Sequence, residues 1–195
     1  MSILINRMFS VPCSETKLNL NIKKITKYCY DLKKTDSGRN VSNRDGWQST
    51  ELFFPNSLSN LADKICEVGS KIFYALDGSK KYTINLKNMW ININPKGGYN
   101  VVHVHPNSFF SGVFYVQTPK DCGNIILRHP CSHTENDWKD EFWNKLSPET
   151  TTLNYLNAKE NMLYIFPSWL EHYVQVNKSK KDRISISFNL GVVKK

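Results

Sequence analysis

Asn100-Val101-Val102-His103-Val104-His105-Pro106, running on through Ser111-Gly112-Val113-Phe114-Tyr115-Val116, is the stretch on which the reading of this 195-residue chain turns. A strand sends residues i and i+2 to one face, so His103 and His105 are expected to point into one cavity while Val102 and Val104 point away. That is the disposition a chelating pair needs. A third donor must come from elsewhere in the fold, and His172, which opens the apolar run His172 to Val176, is the best-placed candidate. Eleven residues further on, Arg183, Ser185, Ser187 and Asn189 alternate with Ile184, Ile186, Phe188 and Leu190. One face of that strand is therefore polar throughout, and it either meets water on an open sheet or lines a wet cavity.

Outward from these strands the periodicity changes. Leu18, Ile22, Ile25, Cys29 and Leu32 fall on one helix face, and so do Leu58, Leu61, Ile65, Val68 and Ile72, after Pro55 and with Asn56 or Ser57 available as a cap. From Lys81 the period is two. Tyr82, Ile84 and Leu86, then Met89, Ile91 and Ile93, predict one long strand or two with a break at Lys87 and Asn88. Further strands are expected at Gly112 to Gln117, Asn124 to Arg128, Met162 to Phe166, His172 to Val176 and Arg183 to Val192, with Pro95 to Gly98 as a turn. Residues 5 to 16 read as an extended lead-in and 35 to 45 as a loop. Residues 129 to 160 are polar, with Trp138, Phe142 and Trp143 marking a short helix or lid. The expected fold class is mainly β (α+β): a jelly roll with two N-terminal helices packed on one sheet. It is read as a single domain over 1–195, with a helical part at 1–80 and a jelly-roll core at 81–195.

Composition narrows the partners. Lys and Arg number 26 against 17 Asp and Glu, a formal charge of +9. The basic residues are nevertheless spread along the chain, and their one tight cluster, Lys178, Lys180, Lys181 and Arg183, falls mostly in an expected hairpin turn. Nucleic acid is therefore a disfavoured partner, although an anionic substrate fits. Apolar runs are too short to cross a membrane, and the first residues lack the pattern of a signal peptide, so a cytoplasmic protein is expected. Cys13, Cys29, Cys66, Cys122 and Cys131 show no CxxC spacing and read as reduced thiols; a zinc site from Cys122, Cys131 and His133 would match no familiar spacing. A homodimer is compatible with the amphipathic helices and sheet faces.

Neutral imidazoles serve Fe, Zn, Cu and Ni alike, so histidine does not choose the metal. Three ligands on one side of a metal leave positions open for a chelating cosubstrate and O2. A buried Arg183 offers a fork of donors for a carboxylate on that cosubstrate, and Ser185, on the same face, adds another. Asn92, Asn100, Tyr115 and Asn189 can touch the cosubstrate or steady the ligands. Trp47 and His129 are candidates for the substrate entrance, and Trp90 and Trp169 for the core.

The ordered set Trp90-x-Asn92, Gly98-x-Asn100-x-x-His103-x-His105-Pro106-Asn107-Ser108, Ser111-Gly112-Val113-x-Tyr115-Val116, Phe166-Pro167-Ser168-Trp169-Leu170-x-His172 and Arg183-Ile184-Ser185-Ile186-Ser187-Phe188-Asn189 resembles the 2-oxoglutarate- and Fe(II)-dependent oxygenases of bacteria and phages. Phe9 to Pro12 and Gly46 to Ser49 extend the resemblance over nearly the whole chain. It implies a double-stranded β-helix with Fe(II) on His103 and His172, and 2-oxoglutarate (2OG) held by Arg183 and Ser185. It also implies a dioxygenase that hydroxylates a protein side chain such as proline, or a small metabolite, with release of succinate and CO2. In a phage the setting would be the host cytoplasm. The sequence departs from the wider pattern at His105, which stands where an Asp or Glu is usual. Glu171 is a poor substitute, because it neighbours His172 and faces away from it. The departure keeps two alternatives open: a cupin-like metal-binding module or inactive homologue without turnover, and a three-histidine dioxygenase that needs no 2OG.

Overall fold

The alternating strand at the C-terminal end lies inside the larger of two antiparallel sheets in the computed structural model of the protein, in which residues 2–4, 10–131, 139–147 and 150–195 are described. The strands are β1 (Ser14–Lys17), β2 (Asn43–Arg44), β3 (Trp47–Gln48), β4 (Tyr82–Asn94), β5 (Tyr99–His103), β6 (Phe110–Gln117), β7 (Ile125–Arg128), β8 (Leu153–Leu156), β9 (Met162–Pro167), β10 (His172–Val174) and β11 (Arg183–Lys194). The large sheet has the order β1-β9-β6-β11-β4-β3 and the small one β2-β5-β10-β7-β8. Helices α1 (Ile22–Lys33) and α2 (Ser59–Ala75) complete the fold. The jelly-roll expectation holds, with both helices on the large sheet.

Each face of the large sheet has its own task. Met89, Ile91 and Ile93 of β4, with Ile184, Ile186 and Phe188 of β11, bury themselves against Ile25, Cys29, Leu61, Ile65 and Phe73 of the helices. The opposite face looks toward the small sheet, where Val113, Tyr115, Tyr164 and Phe166 pack with Ile125, Leu127 and Leu170. Directly opposed residues in an antiparallel ladder share a face. The register therefore sets Arg183 beside Asn94, Ser185 between Asn92 and Tyr115, Ser187 between Trp90 and Val113, and Asn189 between Asn88 and Ser111. The polar face of β11 thus looks toward the small sheet.

Several local expectations need correction. The first helix begins at Ile22, not near Leu18, because Ser14–Lys17 pairs with β9 and the Asn21 side chain then accepts the Lys24 N–H at 3.1 Å as a cap. The break expected at Lys87 and Asn88 is a bulge in one continuous strand: Asn189 opposes Asn88 while Leu190 opposes Leu86, leaving Lys87 unpaired. The part taken as helical contributes three short strands, and β8 lies where a lid was expected, although Asp140–Phe142 does form a short 3-10 turn. Trp169, expected in the core, is 56% exposed in the turn after Pro167. His133, Trp138 and residues 5 to 9 lie outside the described residues.

Candidate active site

The histidine pairing is built by the small sheet. His172 on β10 is the cross-strand partner of His103 on β5, which brings their ring centroids to 4.3 Å. Both rings are then aimed by the backbone two residues back. Nδ1 of His103 lies 2.7 Å from the Val101 carbonyl and Nδ1 of His172 lies 2.9 Å from the Leu170 carbonyl. A carbonyl only accepts, so both rings carry the proton on Nδ1 and leave Nε2 as a free lone pair.

His105 arrives by another route than strand alternation. β5 ends at His103, because Pro106 has no N–H to continue a ladder and Asn107 turns at a φ of 61°. The His105 N–H instead reaches the Ser168 carbonyl at 2.9 Å, and its ring lies 5.6 Å from Trp90, 4.9 Å from His103 and 5.1 Å from His172. One nitrogen from each of the three rings falls within a 4.8 Å span. Burial holds all three imidazoles below their ordinary value: His172 falls to about 3, with the neighbouring His103 adding to the effect, and His105 to about 4 for the same reasons. Near neutral pH they are uncharged, which is the ligating state. Glu171 faces outward in an ion pair with Arg128 at 3.0 Å, and no carboxylate joins the cluster among the described residues.

A second centre lies deeper along β11. Arg183 is wholly buried, and its Nη1 donates to the carbonyls of Cys122 and Gln175, the latter at 2.8 Å. Its Nε and Nη2 have no partner. Among the described residues seven buried side-chain N or O atoms lack a hydrogen bond, and six of them belong to Arg183, Tyr115, Asn92 and Asn94. Native interiors leave few such groups, so a cluster of them marks a place where something else binds. Burial lowers the pKa of Arg183, yet a guanidinium stays charged, and this one forms no ion pair with a carboxylate among the described residues. Burial also pushes the Tyr115 phenol up, so it stays a neutral donor. The free N–H donors of Arg183 and of Asn94 Nδ2, with the free O–H of Tyr115, suit a carboxylate at the end of a small dianion.

A profile of the family described as "Putative 2OG-Fe(II) oxygenase" matches residues 88–189, just over half of the chain. The chain belongs to this family. It is an Fe(II)- and 2OG-dependent oxygenase. No protein of curated function matches its sequence. Among solved structures, a prolyl-4-hydroxylase from Pseudomonas putida is similar at a TM-score of 0.64 and 11% identity, covering 93% of each chain. A viral collagen prolyl hydroxylase from Paramecium Bursaria Chlorella virus-1 is similar at 0.57 and 14%, covering 91% of this chain and 94% of the other. A prolyl hydroxylase from Trichoplax adhaerens, solved with a peptide fragment of a hypoxia inducible factor, gives 0.61 and 13%, with 92% and 83% covered. At these identities the likeness shows a shared fold.

The fold brings His103, His105 and His172 together, sets Arg183, Ser185, Asn92 and Tyr115 on one face of the large sheet, and leaves other predicted residues aside. Asn92 donates its amide to Ser187 at 3.0 Å and leaves its oxygen free, while Ser185 lies between Asn92 and Tyr115. Asn189 is six residues from Arg183 and bonds to Ser111 and Asn88. Asn100 donates to Ser42 at 3.1 Å. Trp47 pairs with Ile93 and so shares the helix-facing side of the large sheet, where its Nε1 donates to the Asp36 carbonyl at 3.0 Å. His129 follows β7, and its Nδ1 accepts the Cys131 N–H at 3.0 Å. Asn94 was not anticipated. Its signal was present in the polar alternation Asn88, Asn92, Asn94, which mirrors that of β11. No helix among the described residues is long and apolar enough to cross a membrane.

Proposed function

We propose that His103, His105 and His172 hold Fe(II), that Arg183, Tyr115 and Ser185 hold 2OG by its outer carboxylate with Asn92 beside them, and that the substrate is a side chain such as proline in a polypeptide. The observation that carries the reading is the buried, unpartnered Nε and Nη2 of Arg183 beside the unpartnered hydroxyl of Tyr115. A cupin-like module that binds only metal has no use for a buried cation without a counterion.

With Fe(II), 2OG and O2 bound, the site supplies the oxidant that hydroxylates a substrate C–H bond, and succinate and CO2 leave. The protein's share is placement. The carbonyls of Val101 and Leu170 keep two rings in the tautomer that offers Nε2. Trp90 and Phe166 wall the cluster with apolar surface, their rings 5.6 Å from His105 and 4.8 Å from His172, and so keep bulk water away. Arg183 and Tyr115 would hold the outer carboxylate of the cosubstrate through their free N–H and O–H donors. The likeness to three prolyl hydroxylase structures supports proline as the first substrate class to test.

The test is anaerobic titration of the Fe(II) protein with 2OG, followed by the visible charge-transfer band. The band is expected in the wild type, lost in Arg183→Ala, and lost or displaced in His105→Ala. A wild type with no band and no affinity for 2OG would refute the assignment.

A further inference from the structure

Arg183 lies at one end of the polar face of β11, and a different polar row closes the other end. Ser111 donates its hydroxyl proton to Oδ1 of Asn189 at 2.7 Å, and Asn189 Nδ2 donates to Oδ1 of Asn88 at 2.9 Å. Ser111 and Asn189 are buried and Asn88 is half-buried. The chain of bonds runs in one direction: each donor spends itself on the next acceptor, and the Nδ2 donors of Asn88 are left at the end with no partner among the described residues.

The row adjoins the histidine cluster on the side away from Arg183. Asn88 shares its face with Trp90, two residues on, whose ring meets His105. Ser111 opposes Phe166, whose ring meets His172. Six residues of strand, about 20 Å, separate Asn189 from Arg183, and the triad abuts the walls nearest the Asn189 end. A cosubstrate held at Arg183 would occupy that side of the histidine cluster, which would leave the Asn189 end, and this row, to the substrate. The bulge at Lys87 changes the register next to Asn88, the kind of irregularity that re-aims a side chain beside a site.

We infer that Asn88, held by Asn189 and Ser111, is the hydrogen-bond donor that positions the substrate, and that the substrate presents a carbonyl or carboxylate oxygen next to the C–H bond that is hydroxylated. The inference rests on the proposed Fe(II) and 2OG sites. A purely architectural row would tie β4, β11 and β6 together and would need no donors left over at its outer end.

The test uses the full-length protein loaded with Co(II) and 2OG, whose paramagnetism relaxes the protons of any small molecule held near the metal. Two probes carry the same acceptor from different sources: N-acetyl-L-proline methylamide for a peptide carbonyl, and free L-proline for a metabolite carboxylate. One of them is expected to be relaxed by the wild type, and that one names the source. Asn88→Leu and Asn88→Asp, which both remove the donor, are expected to weaken the probe about fivefold to tenfold, the effect of one hydrogen bond. Titration of 2OG into the same variants reports whether the cosubstrate pocket survives. Equal relaxation in wild type and variants overturns the inference, as does a wild type that binds 2OG and relaxes neither probe. A variant that loses 2OG along with the probe shows a structural role and overturns it too. Failure of the wild type to bind 2OG refutes the site itself, and the inference falls with it.

Discussion

Tyr115→Phe should make the protein more stable when empty and worse at its task. Tyr115 is 1% exposed and its hydroxyl makes no full hydrogen bond among the described residues, only a weaker approach to the Ile125 N–H, so folding strips the group of water and returns little. An unmade buried hydrogen bond costs about 1–3 kcal/mol, and relaxation of the surroundings in the folded protein reduces this toward the lower figure. Removing one oxygen from a ring packed between Tyr164 and Val113 leaves the apolar contacts intact. A gain of about 1 kcal/mol is expected, or roughly 2–4 °C in a domain of this size. With 2OG present the balance reverses. A hydrogen bond from the neutral phenol to a carboxylate contributes about 1.5–3 kcal/mol, so Kd should rise by about tenfold to a hundredfold. The assay is thermal unfolding of the Zn(II)-loaded protein with and without excess 2OG, since a ligand that binds the folded state stabilises it in proportion to the logarithm of one plus its concentration over Kd. The variant should melt above wild type without 2OG and show a smaller rise when it is added. A variant that melts several degrees lower without 2OG, with the ligand-induced rise unchanged, would refute the reasoning by showing that the hydroxyl has a structural partner and no part in binding.

Arg183→Lys should weaken 2OG by at least about tenfold despite keeping its charge, because one ammonium cannot serve the Cys122 and Gln175 carbonyls and a bidentate carboxylate together; isothermal titration measures it. Metal-free protein should lose stability as pH falls below about 6.5. His105 and His172 are neutral in both states above that value, but below it the unfolded chain takes up protons that the folded values of about 4 and 3 refuse, at about 1.4 kcal/mol per pH unit for each. Urea denaturation at pH 7, 6 and 5 checks the slope, which His172→Gln should reduce. His105→Asp puts a negative charge beside a site that has only neutral ligands and the cation Arg183. Metal affinity without 2OG should rise about tenfold or more, and the coupling between metal and 2OG should fall equally in both titration orders, as linkage requires. Gly112→Ala should destabilise by about 2 kcal/mol or more in chemical denaturation, since a methyl there would meet the Tyr164 carbonyl and the Phe188 ring, neither free to retreat within the sheet.

The parts of this molecule that were legible in the sequence are those in which a local period reports a local cause. The helix faces of Ile25 to Leu32 and Leu61 to Ile72 and the alternation of β4 and β11 gave the elements, their order and the apolar side of each. β2 and β3 left no trace because two residues make no period, and β1 was hidden because Leu18 happens to continue the spacing of the helix that follows. His105 reached the cluster through a backbone bond to Ser168, more than sixty residues away, which no local pattern encodes. The alternation of Arg183, Ser185, Ser187 and Asn189 was visible from the start but fitted an open sheet as well as a cavity. What separates the two is long-range. On an open sheet every one of those polar atoms would find water, and none would be orphaned. Covered by a second sheet, the same face must satisfy its donors internally or hold them for a ligand. Ser187 and Asn189 do find partners within the chain, and Arg183 keeps two nitrogens free. One strand therefore shows both conditions, satisfied polar groups at Ser187 and Asn189 and orphaned ones at Arg183, and the covering sheet rather than the alternation itself makes the difference.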